Sequence, residues 1–269
     1  MATVVFFHAH PDDEAIATGG TMAQLSDAGD RVVVVTATGG ELGELPEDGL
    51  AQGESLADRR MTELAEAGRI LGVHRQVMLG YLDSGMAGAS TNTVAGCFAA
   101  ADVGEAAARL AAVLEEESAD VVVTYDEHGG YGHPDHIQVH RVGMAAARLA
   151  GTPVVYLATM NRDRLASLTR QAEEAGTPVP DVTDVRDEMG EPQSRLTTEV
   201  DVTGAIDRKR ASMRAHASQI TESSFFLAMP DDLFSTVWGR EWFIRVHPPA
   251  PDGYDGPFEA GLTTTSTIS

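Results

Sequence analysis

Two tetrapeptides, His10-Pro11-Asp12-Asp13 and His133-Pro134-Asp135-His136, set imidazoles and carboxylates at nearly the same spacing. A His followed three residues later by Asp or His puts both side chains on one face of a helical first turn. Two such turns side by side would direct three or four ligand groups at one point. Imidazole with carboxylate suits zinc or a similar divalent ion, and three protein ligands leave a position open for chemistry. In the first motif, His10 and Asp13 can converge on one ion. Asp12 then lies close to the ion without binding it, where a carboxylate can take a proton from an activated water. In the second motif either His133 or His136 can serve as ligand. The plainer reading makes Asp12 and Asp13 acids favoured by a helix N-terminus, but it does not account for the same pattern at two strand ends. The chemistry indicated is that of a metal-dependent hydrolase.

The elements that must position these groups are legible as alternating strands and helices. Apolar runs mark strands at Thr3–Phe7, Arg31–Thr36, Gln76–Leu79, Asp120–Thr124 and Pro153–Leu157. Amphipathic segments between them mark helices near Glu14–Ala28, Glu54–Leu71, Val103–Glu117 and Ile137–Ala150. The strands are Val-rich at consecutive positions, as a parallel sheet covered on both faces requires. The expectation is therefore an α/β fold: a three-layer, Rossmann-like domain with a mostly parallel sheet and right-handed crossovers. Such folds hold ligands at the carboxyl ends of their strands. Both tetrapeptides fall there, with Thr38-Gly39-Gly40 and Leu82-Asp83-Ser84-Gly85. Past residue 160 the pattern loosens, leaving a helix expected over Val202–Ser218 and a strand over Trp238–Val246. Residues 173–194 are acidic, carry Pro178, Pro180 and Pro192, and read as a long surface loop. One catalytic domain is expected over 1–262, with a flexible tail at 263–269.

Composition narrows the partners. A formal charge of −22 over 269 residues opposes nucleic-acid binding, which needs a basic surface. No apolar stretch reaches the roughly 18–20 residues that span a bilayer, so no membrane association is expected. The first residues carry no basic segment of a secretory signal, and Cys97 is alone, which fits a reducing cytoplasm. Homo-oligomers are compatible with everything above.

The segment Ala9–Glu14, together with Gly130-Tyr131-Gly132-His133-Pro134-Asp135-His136, closely resembles the PIG-L/LmbE family of metal-dependent N-deacetylases. Thr36–Glu41, Arg60–Glu63, Asp83–Met86 and Arg214–Gln219 resemble further family elements in the same order. The likeness is greatest to the actinobacterial branch that holds the mycothiol-pathway deacetylase and the mycothiol S-conjugate amidase. It implies an LmbE-like fold with His10, Asp13 and His136 as ligands of Zn2+, for which Fe2+ or Co2+ could substitute. Asp12 becomes the general base. His133 would stabilise the tetrahedral intermediate or protonate the leaving amine, with Asp135 holding its imidazole. Tyr131 would help bind the carbonyl oxygen, and Arg60 and Asp83 would contact the sugar or cyclitol. The substrate implied is a small acetylated amino sugar or glycoconjugate.

Other groups carry less. His8 reads as a satisfied buried histidine, His128 as a possible pocket residue, His140 as solvent-facing and His74 as a surface residue. Gly39-Gly40 follows a strand without a GxGxxG pattern, which opposes dinucleotide binding. Rival readings are an amidase cutting a larger conjugate and an idle α/β protein that keeps the metal as a clip.

Overall fold

The computed structural model describes residues 1–45, 49–174, 189–250 and 258–259. Five strands, β1 (Thr3–His8), β2 (Arg31–Thr38), β3 (Arg75–Tyr81), β4 (Val121–Tyr125) and β5 (Val154–Thr159), run parallel in the order β3-β2-β1-β4-β5. A short β6 (Thr198–Asp201) and β7 (Arg240–His247) extend the sheet beyond β5. β7 lies antiparallel to β5, and β6 antiparallel to β7 at the edge. The expected mostly parallel α/β architecture is what the chain adopts.

The helices are α1 (Asp13–Ala17), α2 (Gly19–Asp27), α3 (Leu56–Leu71), α4 (Val103–Glu116), α5 (Pro134–Ala150), α6 (Arg162–Glu174), α7 (Ile206–Ala215) and α8 (Asp231–Trp238). α4 packs on α5, while α1, α2 and α3 pack on α7. Val32–Val35 and Val121–Val123 are buried on both faces of the sheet, meeting Phe6, Leu110, Leu114 and Val139 in one core. Burying each such side chain contributes roughly 1.5–3 kcal/mol, which fixes the strand ends that carry the site. A smaller cluster of Ala15, Met213, Ile220, Leu227 and Phe234 joins α1 to the C-terminal helices. No helix among the described residues is long and apolar enough to cross a membrane.

Four local expectations differ from the structure. The single helix expected over Glu14–Ala28 is two helices, broken at Thr18 (φ −138°, ψ 6°). The break arises from a distant partner: Glu241 of β7 accepts both Gly20 N–H and Thr21 N–H at 2.8 Å, capping α2. Lys209 of α7 neutralises that buried carboxylate at 2.6 Å. The helix expected over Val202–Ser218 is shorter, with a 3₁₀ turn at Thr203–Ala205 leading into α7. β7 begins at Arg240, because the preceding residues form α8. Of the stretch read as a loop, residues 173–174 end α6 and residues 175–188 lie outside the described residues. Residues 189–194 instead dock on the β4 and β5 loops, where Gly190 N–H donates to Gly130 O and Glu191 N–H to Met160 O, both at 2.8 Å. The tail at 263–269 also lies outside the described residues.

Candidate active site

Both tetrapeptides leave carboxyl ends of neighbouring strands, β1 and β4, so the parallel sheet itself sets them side by side. The second motif is regular. His133 is the N-cap of α5, Pro134 occupies its first turn, and His133 Nδ1 accepts Asp135 N–H at 3.1 Å. The first motif is not. Asp12 has φ 125°, one of two non-glycine residues with positive φ among the described residues. Backbone so far from the allowed regions costs about 1–3 kcal/mol and persists only where the surroundings enforce it.

Those surroundings are specific. Asp12 N–H donates to Glu14 Oε2 (3.0 Å), and Asp12 O accepts Ala15 N–H (3.0 Å). Arg60 of α3, buried, donates to Gly40 O (2.8 Å) and Pro11 O (2.5 Å) and lies 3.2 Å from Asp12 Oδ1. Gly40 (φ 65°) allows this approach, since a Cβ there would collide with the Arg60 guanidinium. Arg60 therefore braces the first motif; the neighbouring Arg59 pairs with Glu54 instead. Burial pushes the Asp12 carboxyl up to about 6 against the Arg60 charge, and Asp13 adds to the rise. A carboxylate with that affinity for protons is matched to general-base work near neutrality.

Asp13 divides its two oxygens between the motifs. Oδ2 accepts His10 N–H (2.8 Å) and lies 3.5 Å from His10 Nδ1, while Oδ1 lies 3.3 Å from His136 Nε2. Burial would raise Asp13, but His136 and His10 hold it well below the carboxylate range. His136 Nδ1–H donates to Gly129 O (3.1 Å), which turns Nε2 toward Asp13. That buried nitrogen has no hydrogen-bond partner among the described residues. A buried ring nitrogen without a hydrogen-bond partner, 3.3 Å from a carboxylate oxygen, marks a place where both could hold one cation. Nitrogens of His10, His133 and His136 fall within 4.8 Å of one another, as do ligand atoms of His10, Asp83, His133 and Asp135. The donor set, imidazoles and carboxylates with outer partners fixing the rings, fits a divalent transition metal.

The other expected residues also converge here. His10 Nε2–H donates to Asp135 Oδ2 (3.2 Å) and lies 3.6 Å from Asp83 Oδ1. Burial would lower His10, yet Asp13, Asp135 and Asp83 hold it well above the usual histidine range; a metal ion answers the same negative charge. Asp135 holds the His133 ring through its backbone N–H. Its carboxylate turns instead to His10 and to Ser84, whose N–H it accepts at 2.9 Å and whose hydroxyl it also accepts. Burial, with His10 and His136 nearby, lowers His133 to about 4. Asp83 accepts Gly85 N–H (2.8 Å) and Leu42 N–H (3.3 Å). Burial opposes its ionisation, but His10 and these donors hold it well below the carboxylate range. Tyr131 sits at the mouth, 40% exposed, its ring 4.8 Å from that of His136. Burial of its hydroxyl raises its pKa, keeping it a donor.

Four participants carried no assigned role from sequence: Glu14, Ser84, Asp126 and His216. Ser84 fixes Asp135. Buried Asp126 accepts His128 N–H (3.0 Å) and Gly130 N–H (2.9 Å), shaping the loop that presents Gly129 O to His136. Glu14 and His216 form a fully buried pair at 2.6 Å. All but Asp126 lie in segments with family-like sequence, which was the available signal; Asp126 was marked only by the glycines after it. His8 is satisfied, between Tyr125 Oη (2.8 Å) and Thr18 Oγ1 (3.2 Å), and burial lowers it to about 4. His140 does not face open solvent: it is half-buried, with Nδ1–H donating to Tyr125 O (2.8 Å). His128 is exposed.

The model of the GlcNAc-PI de-N-acetylase family, PIG-L, matches residues 5–147. A 1D-myo-inositol 2-acetamido-2-deoxy-alpha-D-glucopyranoside deacetylase from Thermobifida fusca is 39% identical, covering 94% of this chain and 96% of the relative. Its counterpart from Nocardiopsis dassonvillei is 41% identical, covering 95% and 98%. Among solved structures, the N,N'-diacetylchitobiose deacetylase from Pyrococcus horikoshii shares the fold with a TM-score of 0.55 at 23% identity, covering 90% of this chain and 83% of that one. Matched over more than half its length by the family model and nearly end to end by these relatives, the chain belongs to the PIG-L/LmbE family of metal-dependent N-deacetylases, in its actinobacterial branch.

Proposed function

We propose that this protein removes the acetyl group from an N-acetylglucosamine joined to a cyclitol or similar small polar group, with zinc held by His10, Asp13 and His136. The observation that carries the reading is the division of labour in the first motif. Asp13 reaches both His10 and His136, while its neighbour Asp12 is turned by a φ of 125° toward Arg60. The names of the two relatives supply the substrate class. A divalent ion at this position supplies Lewis acidity toward an amide carbonyl and acidifies water.

The remaining steps belong to the protein. Asp12, with 17% of its side chain exposed, accepts a proton from the attacking water and returns it to the departing amine. His133 donates from Nε2, because its Nδ1 already accepts the Asp135 N–H. That fixed donor, together with the Tyr131 hydroxyl, faces the oxygen that gains charge, a contribution of about 10²–10³ in rate per donor. Asp83 offers acceptor oxygens to sugar or cyclitol hydroxyls. Arg60 braces Asp12 while its Nη1 and Nη2 hold Gly40 O and Pro11 O, and with Asp83 it contacts the sugar or cyclitol.

The test is release of free amine from N-acetylglucosaminyl-inositol, simple N-acetylglucosamine glycosides and a bulky thiol-conjugate amide, with metal content recorded. Wild-type turnover of the inositol glycoside, lost in Asp12→Asn at equal metal occupancy, is expected. Turnover of the bulky amide alone would replace the deacetylase reading with an amidase.

A further inference from the structure

The strained peptide at Asp12 is held from a part of the chain two hundred residues away. His216, just beyond α7, donates from Nε2 to Glu14 Oε1 at 2.6 Å, and Glu14 Oε2 accepts Asp12 N–H at 3.0 Å. His216 and Glu14 are both fully buried. His216 Nδ1 has no hydrogen-bond partner among the described residues, so the polar function of this imidazole is its contact with Glu14. Two residues on, Ser218 donates to Glu63 from both N–H (2.8 Å) and Oγ–H (2.7 Å). Glu63 lies one helical turn from Arg60 on α3, and Arg60 holds Pro11 O and the Asp12 carboxylate. Residues 216–218 thus reach both ends of Asp12: its backbone through Glu14, its carboxylate through α3.

We infer that His216 and Glu14 are positioning residues for the proposed base, forming a brace that fixes the direction of the Asp12 carboxylate. This rests on Asp12 being the base. A carboxylate is required at position 14, because one amide oxygen cannot serve the Asp12 N–H and His216 Nε2–H from opposite sides. A donor at the Nε2 position is required at 216. The metal ligands need neither.

The experiment compares His216→Gln, His216→Asn and Asp12→Asn with wild type, each brought to equal zinc content, on the best N-acetylglucosaminyl substrate. A glutamine amide nitrogen occupies the place of Nε2, an asparagine amide nitrogen that of Nδ1. His216→Gln should keep most of the wild-type kcat. His216→Asn should lose about 100-fold in kcat at unchanged KM, the scale of an ångström-sized misplacement of a reacting group. Should His216→Asn fail to fold, Glu14→Gln is read the same way, with a comparable kcat loss expected. Equal kcat in the Gln and Asn variants, or wild-type kcat in Glu14→Gln, overturns the brace. A fully active Asp12→Asn overturns both the base and its brace, whereas an inactive Asp12→Asn beside unimpaired His216 and Glu14 variants overturns the brace alone.

Discussion

The two tetrapeptides are nearly identical in sequence and opposite in conformation. His133-Pro134-Asp135-His136 opens a seventeen-residue helix with an ordinary cap. His10-Pro11-Asp12-Asp13 opens a five-residue helix through a peptide at φ 125°. The difference lies in what surrounds each, since Pro and Asp occupy the same places in both. The backbone of the regular motif is capped locally, by His133 Nδ1 accepting the Asp135 N–H, while the Asp135 carboxylate reaches Ser84 and His10. The strained one is satisfied by Arg60, Glu14 and, through them, α3 and residues 216–218. The regular turn presents ligands and a donor; the irregular one separates two adjacent carboxylates, sending one toward the histidines and the other to a separate position.

The comparison can be broken at its strongest point by exchanging single atoms. Asp12→Asn should lower kcat about 10³-fold with metal retained, within the range for loss of a general base. The equivalent change at the second motif, Asp135→Asn, should leave more turnover and instead weaken metal binding about 10–100-fold, as loss of an outer partner does. Competition with a chelator separates the two results, and loss of metal from Asp12→Asn would reverse the roles of Asp12 and Asp13. Asp135→Ala should also strand the Ser84 N–H and hydroxyl, lowering stability in chemical denaturation by about 1–3 kcal/mol.

Strain gives a smaller effect with the opposite sense in the two motifs. Asp12→Gly should be more stable than Asp12→Ala by about 1–2 kcal/mol, because glycine accepts the positive φ. Pro134→Ala should lower stability by no more than about 1 kcal/mol, since its φ is already helical. Melting temperatures of the inactive pair and of Pro134→Ala would show it.

The smallest effect is at the other end of the sheet, and it serves as a control. There Glu117 binds Arg31 and Arg75, each at 2.6 Å. Arg31, and then Arg75, hold the Glu117 carboxyl below its ordinary 4.5 against a small effect of burial. The unfolded chain therefore binds the proton more tightly. The stabilisation is complete above about pH 4.5 and is lost as pH falls through the depressed value. Glu117→Gln should flatten that acid limb, by about 1 kcal/mol or less, without altering turnover at neutral pH.

What was legible in the sequence follows the same division. β1 to β5 and the helices α3, α4 and α5 announce themselves because consecutive valines and capped amphipathic runs need no distant partner. The metal-ligand candidates were legible because they recur. The break at Thr18 was not, since its cause is Glu241, more than two hundred residues later. β6 is a four-residue edge strand, too short for a period. α8 did carry a start signal, Pro230 followed by Asp231 and Asp232, but its eight residues offer two turns of pattern. The hold of Arg60 on Pro11 and Asp12 was not legible, because only the packing of α3 reveals it. The unusual backbone of Asp12 has no sequence signature at all.

The capping of α2 by Glu241 and of Glu14 by His216 has a consequence for biosynthesis. A nascent chain that has cleared the ribosome to residue 160 already carries every proposed metal ligand and the proposed base. It lacks the acid that closes α2 and the imidazole that covers Glu14. Residues 5–147, which the family model matches, are for that reason a catalytic inventory without its scaffold. Ordering of the first motif therefore depends on contacts from β7 and from the turn after α7, far later in the chain than the ligands the motif presents.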